Sequence, residues 1–165
     1  MCSLDWGSIV NLLGIIVNGF LAWWIVNSIQ QKQNNERSIK DYFFEEIKDF
    51  RLESLNLLTL IYDEELNHSE ILPSLKLLGI KSSHILNSLN SHFKIKKNYF
   101  NSYLIEMNKI ITDDSNYIEF NNNNEKVKLT MHSRDALLKF QSRNQNKFNE
   151  LIISVNESKY LYLKK

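Results

Sequence analysis

Side-chain amides recur on one face of the apolar segment near the start of this sequence. Residues 6–29 read WGSIVNLLGIIVNGFLAWWIVNSI, and small or amide residues recur within them at spacings of three and four: Gly7, Asn11, Gly14, Asn18 and Ala22. On a helix these five share one face. Lipid gives asparagine no hydrogen-bond partner, so the face predicts contact with protein or water, most simply with other copies of the helix. Its chemistry is hydrogen bonding by neutral groups, either in a dry helix contact or around a narrow lumen.

The element that positions this stripe is predicted to be a membrane-spanning helix. About 20 apolar residues cover a bilayer core of about 30 Å. A cleaved secretory signal is the alternative, but Asp5 is the only charged residue before the run, which ends in Trp23-Trp24 without an A-x-A-like site. Trp6 and the Trp23-Trp24 pair are spaced to place an indole near each membrane interface.

The flanking charges predict the orientation of this helix. Neither Lys nor Arg precedes it, whereas Lys32, Arg37 and Lys40 follow it closely. The positive-inside rule then places the N-terminus outside and the rest of the chain in the cytoplasm. The abundance of Asn and Lys indicates an AT-rich bacterial genome, and hence the inner membrane. Cys2 is the only cysteine, so no intrachain disulfide can form.

The rest of the chain is predicted to be all-α. Pro73 and Gly79 are its only proline and glycine after residue 19, and tight turns between strands would need more glycine. Apolar spacing predicts helices over residues 7–66, 70–92, 96–112 and 132–157, with Ser69 as the N-cap of the second. Residues 117–120 and 126–129, on either side of the Asn121–Asn124 run, form a small hairpin or belong to a disordered loop. The prediction is a transmembrane domain, residues 1–31, whose helix continues into a cytosolic four-helix bundle, residues 32–165.

Two further patterns in the body are candidate binding or catalytic sites. In the last helix, Asn144 falls on the apolar stripe beside Arg143, and a buried amide without a partner costs about 1–3 kcal/mol. A structural asparagine that fixes helix register is the plainer interpretation. Further upstream, lysines alternate with aromatic residues in FKIKKNYF, a mixture that can bind RNA or an anionic membrane surface, or simply mark a helix boundary: Lys94, Lys96 and Lys97.

Catalytic and metal-binding signatures are missing from the sequence. None of the four histidines has a second histidine or a cysteine at i+3 or i+4, and neither a glycine-rich phosphate loop nor a GxSxG motif occurs. The sequence therefore predicts a protein that is not an enzyme and needs no cofactor, metal or small-molecule substrate.

The Arg143-Asn144 pair resembles part of the HEPN ribonuclease motif. HEPN ribonucleases are helical bundles with Arg-x4–6-His near the end of the domain, often with Asn just after the Arg, but here Phe148 stands where the His would be. Without the imidazole no general acid or base is evident, so the resemblance implies a degenerate site. In layout, the chain resembles the small single-span, HEPN-like membrane accessory proteins of type VI-B CRISPR systems. That resemblance implies a ring-shaped homo-oligomeric pore that supports antiphage defence by depolarising the inner membrane.

Three functions are therefore open from the sequence. The first is an oligomeric membrane pore or effector, whose partners are its own copies and the bilayer. The second is a membrane-tethered HEPN-like RNase or RNA-binding module. The third is an anchor that recruits a partner protein, with an RNA-guided RNase as the partner that the resemblance implies.

Overall fold

Every regular element that the structure describes is an α-helix. The structure, a computed structural model, describes residues 6–95, 99–119 and 125–161. Its helices are α1 (Trp6–Tyr62), α2 (His68–Phe93), α3 (Tyr99–Thr112), α4 (Ser115–Glu119) and α5 (Met131–Glu157). Within these ranges there is no strand, and one antiparallel bridge joins Asn67 to Lys126. The all-α prediction is confirmed, whereas Cys2, Lys96, Lys97 and the run 121–124 lie outside the described residues.

The described residues divide into two compact units, of which the first ends at Ile39 and the second begins at Lys40. The first unit consists of the N-terminal part of α1. This part contains no proline, and the polar run QQKQNNERS, residues 30–38, is helical throughout. The predicted domain boundary after residue 31 stays a prediction.

The first helix ends at Tyr62, four residues earlier than the apolar spacing predicts. Glu64 adopts a positive φ of 60°, and its N–H donates to the Ile61 carbonyl, 3.3 Å away. The Glu65 N–H donates to the Leu60 carbonyl at 2.9 Å. This is the Schellman arrangement, which usually has glycine at the left-handed position. Because glutamate occupies that position here, the sequence carries no stop signal for the helix.

The second helix begins with a capping box, and its N-cap is Asn67 rather than the predicted Ser69. The Asn67 Oδ1 atom accepts from the Glu70 N–H at 3.1 Å, and the Asn67 N–H donates to the Glu70 Oε2 atom at 2.9 Å. Glu70 is three residues after Asn67, whereas Leu72 is three residues after Ser69 and cannot return the bond. The Ser69 hydroxyl instead donates to the Asn67 side chain at 2.6 Å.

The connection between α3 and α5 is not the predicted hairpin, because Tyr117 lies in the one-turn helix α4. The Asp114 carboxylate accepts from the N–H groups of Asn116 and Tyr117, at 3.0 and 3.2 Å, and thereby caps this helix. It also accepts from the N–H and the hydroxyl of Thr130, at 3.0 and 2.6 Å. The Val127 N–H donates to the Leu66 carbonyl, so the returning segment pairs with the α1–α2 turn.

The core of the second unit lies between four helical segments, from α1, α2, α3 and α5. Phe50 of α1 lies 4.4 Å from the Phe100 ring of α3 and 6.1 Å from the Phe148 ring of α5, measured between centroids. The apolar stripes predicted for the second and last helices are buried throughout: Ile71, Leu75, Leu78, Ile85, Leu89 and Phe93, and Leu137, Phe140, Asn144, Phe148, Leu151 and Val155. Near the end of α3, Ile111 is buried and Ile110 is half-buried.

The hydrogen bonds to the Asp114 carboxylate predict that the second unit loses stability in acid. Burial raises the pKa of Asp114, but hydrogen bonds from Ser133, Thr130 and Tyr117 outweigh burial and hold the pKa below its ordinary value of 3.8. A carboxylate with a lowered pKa contributes stability above the pKa of the unfolded chain, and this stability is lost as the pH falls through the folded-state pKa. The free energy of unfolding should therefore decrease below about pH 4.

Chemical denaturation of the full chain in detergent measures this effect. Asp114→Asn should lower the free energy of unfolding at pH 7 by about 1–3 kcal/mol and flatten its dependence on pH below about pH 4. Asp113→Asn, at the exposed neighbouring carboxylate, is the matched control and should change neither. An unchanged acid profile in Asp114→Asn would contradict this role for the buried carboxylate.

Candidate functional site

The large apolar side chains of α1 between Val10 and Ile29 are exposed. Thirteen large apolar side chains between Val10 and Ile29 are exposed, from 46% for Leu21 to 69% for Ile15. Among the described residues, α1 is the one helix long and apolar enough to cross a membrane, and none of its apolar window is buried. A core helix of a soluble domain would be covered by its own chain, and this segment is not.

The predicted stripe forms a narrow band on this exposed helix. Successive residues of an α-helix turn by about 100°, so the five stripe residues fall within a band about 80° wide. All five are exposed: Gly7, Asn11, Gly14, Asn18 and Ala22. A Cβ built on Gly14 would meet no atom within 4 Å, so packing within the chain does not require glycine there. Glycine inside a helix costs roughly 0.5–1 kcal/mol relative to alanine. The close approach of a helix from another molecule would explain why glycine occupies position 14.

The two stripe asparagines supply neutral hydrogen-bonding groups at two levels of the helix. They are seven residues apart, about 10 Å along the axis. Asn27 is nine residues beyond Asn18 and therefore faces the opposite side. In hydrocarbon, amides have to bond to each other or to water, and bonds between membrane helices contribute about 0.6 kcal/mol on average. Two layers of amides can thus join helices or line a lumen, but they offer no charge for selecting ions.

The Arg143-Asn144 pair is divided between surface and core. Asn144 is 1% exposed, and its Nδ2 atom donates to the Phe140 carbonyl one turn earlier, at 2.9 Å. Arg143 lies on the surface and forms an ion pair with Glu106 of α3. The two side chains therefore do not converge on a shared cleft. Burial of Asn144 in the helical seam favours the structural interpretation over a nuclease site.

The described part of the basic-aromatic patch is a helix boundary. Lys94 is the C-cap of α2, has φ 54° and ψ 29°, and donates its N–H to the Asn90 carbonyl at 3.0 Å. Its side chain is exposed, but the rings of Phe93 and Phe100 are buried in the core. Buried rings cannot stack on bases, so Phe93 and Phe100 do not contribute to an RNA-binding surface.

Two of the four histidines, His68 and His92, have structural partners. The His68 ring lies 4.4 Å from the Tyr117 ring, between centroids. The His92 ring stacks on Tyr160 with its Nδ1 atom 2.8 Å from the Ser88 carbonyl oxygen, and the Leu161 N–H donates to the His92 carbonyl. In the part of the chain that the structure describes, no group of three His, Cys, Asp or Glu side chains could hold a metal ion.

One polar cluster was not predicted from the sequence. Arg134 of α5 pairs with Glu64 at 3.0 Å, and its guanidinium lies 4.3 Å from the centre of the Tyr62 ring. Lys128 reaches the same carboxylate at 3.5 Å. These contacts join residues about 70 positions apart, so no local motif could have indicated them. Their effect is to hold the α1 terminus against the start of α5.

Comparison with protein-family models, with curated protein sequences and with solved structures yields no match to this chain. The function has to be inferred from the residues of the chain itself.

Substitutions at positions 143 and 144 separate the structural from the catalytic interpretation. Asn144→Ala should lower the free energy of unfolding by about 1–3 kcal/mol. The substitution removes the hydrogen bond from the Asn144 side chain to the Phe140 carbonyl and leaves a cavity between the helices. Arg143→Ala should change it by less than about 1 kcal/mol, because the ion pair is exposed.

Denaturation and an RNA-cleavage assay on the same preparations decide the question. If positions 143 and 144 form a nuclease site, both variants should lose RNA cleavage while remaining as stable as the parent chain. That result would contradict the structural role of Asn144.

Proposed function

We propose that the protein is a membrane protein that assembles from several copies, and that α1 crosses the bilayer in each copy. The exposed apolar surface between Val10 and Ile29 carries this proposal. Transferring one large apolar side chain out of water contributes about 1.5–3 kcal/mol. Thirteen such side chains on one helix therefore favour burial by tens of kcal/mol, and the hydrocarbon of a bilayer can supply it over the full length of the segment.

The amide stripe supports self-association of this helix. Lipid offers Asn11 and Asn18 no hydrogen-bond partner, whereas the same residues of neighbouring copies do. Small residues at Gly7, Gly14 and Ala22 allow those copies to approach closely. We propose that the copies enclose a lumen lined by amides, through which ions pass with little discrimination of charge. Such a pore would permeabilise or depolarise the membrane.

The proposal also includes the orientation of α1 in the membrane and the cellular role of the protein. Lys32, Arg37 and Lys40 support an external N-terminus and a cytoplasmic second unit. The shared core of four helical segments supports a HEPN-like bundle in that unit. With the resemblance stated above, we propose an accessory role in antiphage defence at a bacterial inner membrane, with no catalytic site at Arg143-Asn144.

A leakage assay tests the lumen. Cells that express the chain should lose membrane potential and take up small dyes, and Asn11→Leu combined with Asn18→Leu should reduce this by about tenfold. Asn27→Leu makes the same exchange on the opposite face and should leave leakage unchanged. Immunoblots of the membrane fraction establish equal amounts of protein. Full leakage in the double variant would refute a lumen at this face.

A further inference from the structure

A groove between α2 and α3 on the surface of the second unit has the features of a docking site. Its volume is about 640 Å³, and its walls include Ile80 of α2 and Ile105 of α3, each of which is 68% exposed. Gly79 lies in this groove. Its other walls carry ammonium, amide and aliphatic groups rather than aromatic rings: Lys76, Asn101, Leu104 and Asn108.

Gly79 is not required by the packing of the chain that contains it. It lies in the interior of α2, where glycine costs about 1 kcal/mol relative to alanine. A Cβ built on it would meet no atom within 4 Å. The missing side chain leaves a notch in the outer surface of α2, and an incoming side chain from another molecule could fill it.

The groove lies in a basic part of the sequence. Residues 71–112 contain six lysines and one acid, Glu106, which is paired with Arg143. Lys76 is exposed at the edge of the groove. A matching partner should therefore carry an apolar side chain surrounded by carboxylates.

The outer face of α1 in the same unit has that composition. Residues 40–56 contain five acids against three basic residues, and Asp41, Glu45 and Asp49 are exposed. Leu52, which is 63% exposed, lies on the same face one turn from Asp49. On this face Lys48 pairs with Glu45 at 2.7 Å, so Asp41 and Asp49 are the exposed carboxylates that accompany Leu52.

We propose that the acidic face of α1 in one copy docks on the α2–α3 groove of the next copy, with Leu52 over Gly79 and Asp49 towards Lys76. The two surfaces differ, so the contact is head-to-tail, and its repetition closes into a ring when the rotation allows. RNA fits the groove less well, because none of the described residues that line it has an aromatic ring for stacking. The inference rests on the proposed function only in naming a second copy as the partner.

Cysteine cross-linking of the full chain tests this contact. In a Cys2→Ser background, Leu52→Cys together with Ile105→Cys should yield a ladder of dimers, trimers and larger species on oxidation, whereas either substitution alone should yield none. Adding Lys76→Glu or Asp49→Lys should reduce the ladder by about fivefold, because each places like charges opposite each other. Adding both should restore it. Gly79→Leu should abolish it, and Gly79→Ala should leave the melting temperature unchanged or raised.

The outcomes separate this contact from the membrane proposal. An oligomeric particle without a ladder, or a ladder insensitive to both charge reversals, overturns the contact and leaves the pore intact. A monomeric particle overturns both. Retention of RNA that depends on Lys76, without a ladder, assigns the groove to RNA and also overturns the contact.

Discussion

The exposed apolar surface of α1 between Val10 and Ile29 is the constraint on which the rest of the account depends. Thirteen large apolar side chains lack cover from their own chain, and their transfer out of water is favourable by tens of kcal/mol. We propose that a bilayer supplies this cover, because its hydrocarbon core matches the length of the segment. The stripe asparagines are the second constraint. Lipid can surround Leu12 and Ile16, but it offers no hydrogen-bond partner to Asn11 and Asn18.

Three polar side chains of the second unit differ from the stripe asparagines, because groups of their own chain bond to them: Asp114, Glu64 and Asn144. Asp114 accepts four hydrogen bonds of 2.6–3.2 Å and joins two segments that the sequence separates. Glu64, in a left-handed conformation, is held by Arg134 of α5. Asn144 bonds to its own helix. These contacts stabilise a helical scaffold, and they leave the stripe of α1 and the groove beside Gly79 as surfaces whose composition the fold does not explain.

Periodicity predicted the helices well but placed the end of α1 four residues too late. The stripes of α2 and α5 were predictable because burial on a helix repeats every three or four residues, and every one of those residues is buried. The end of α1 was not, because Glu64 occupies a position that glycine usually marks. The hairpin prediction was wrong because Asp114 caps a helical turn, and its bonds to Thr130 span 16 residues. The stripe itself was predictable because it is local to one helix, but its partner is not encoded in any local pattern.

The mass of the purified particle tests the central claim most directly. The full chain should be extracted from membranes with detergent, and the protein mass of the particle should be measured by light scattering with the detergent contribution subtracted. The account predicts a mass equal to several copies of the 165-residue chain, reduced when Asn11 and Asn18 are both replaced by Leu. A particle with the mass of one chain, or recovery of the protein in the soluble fraction without detergent, would contradict it.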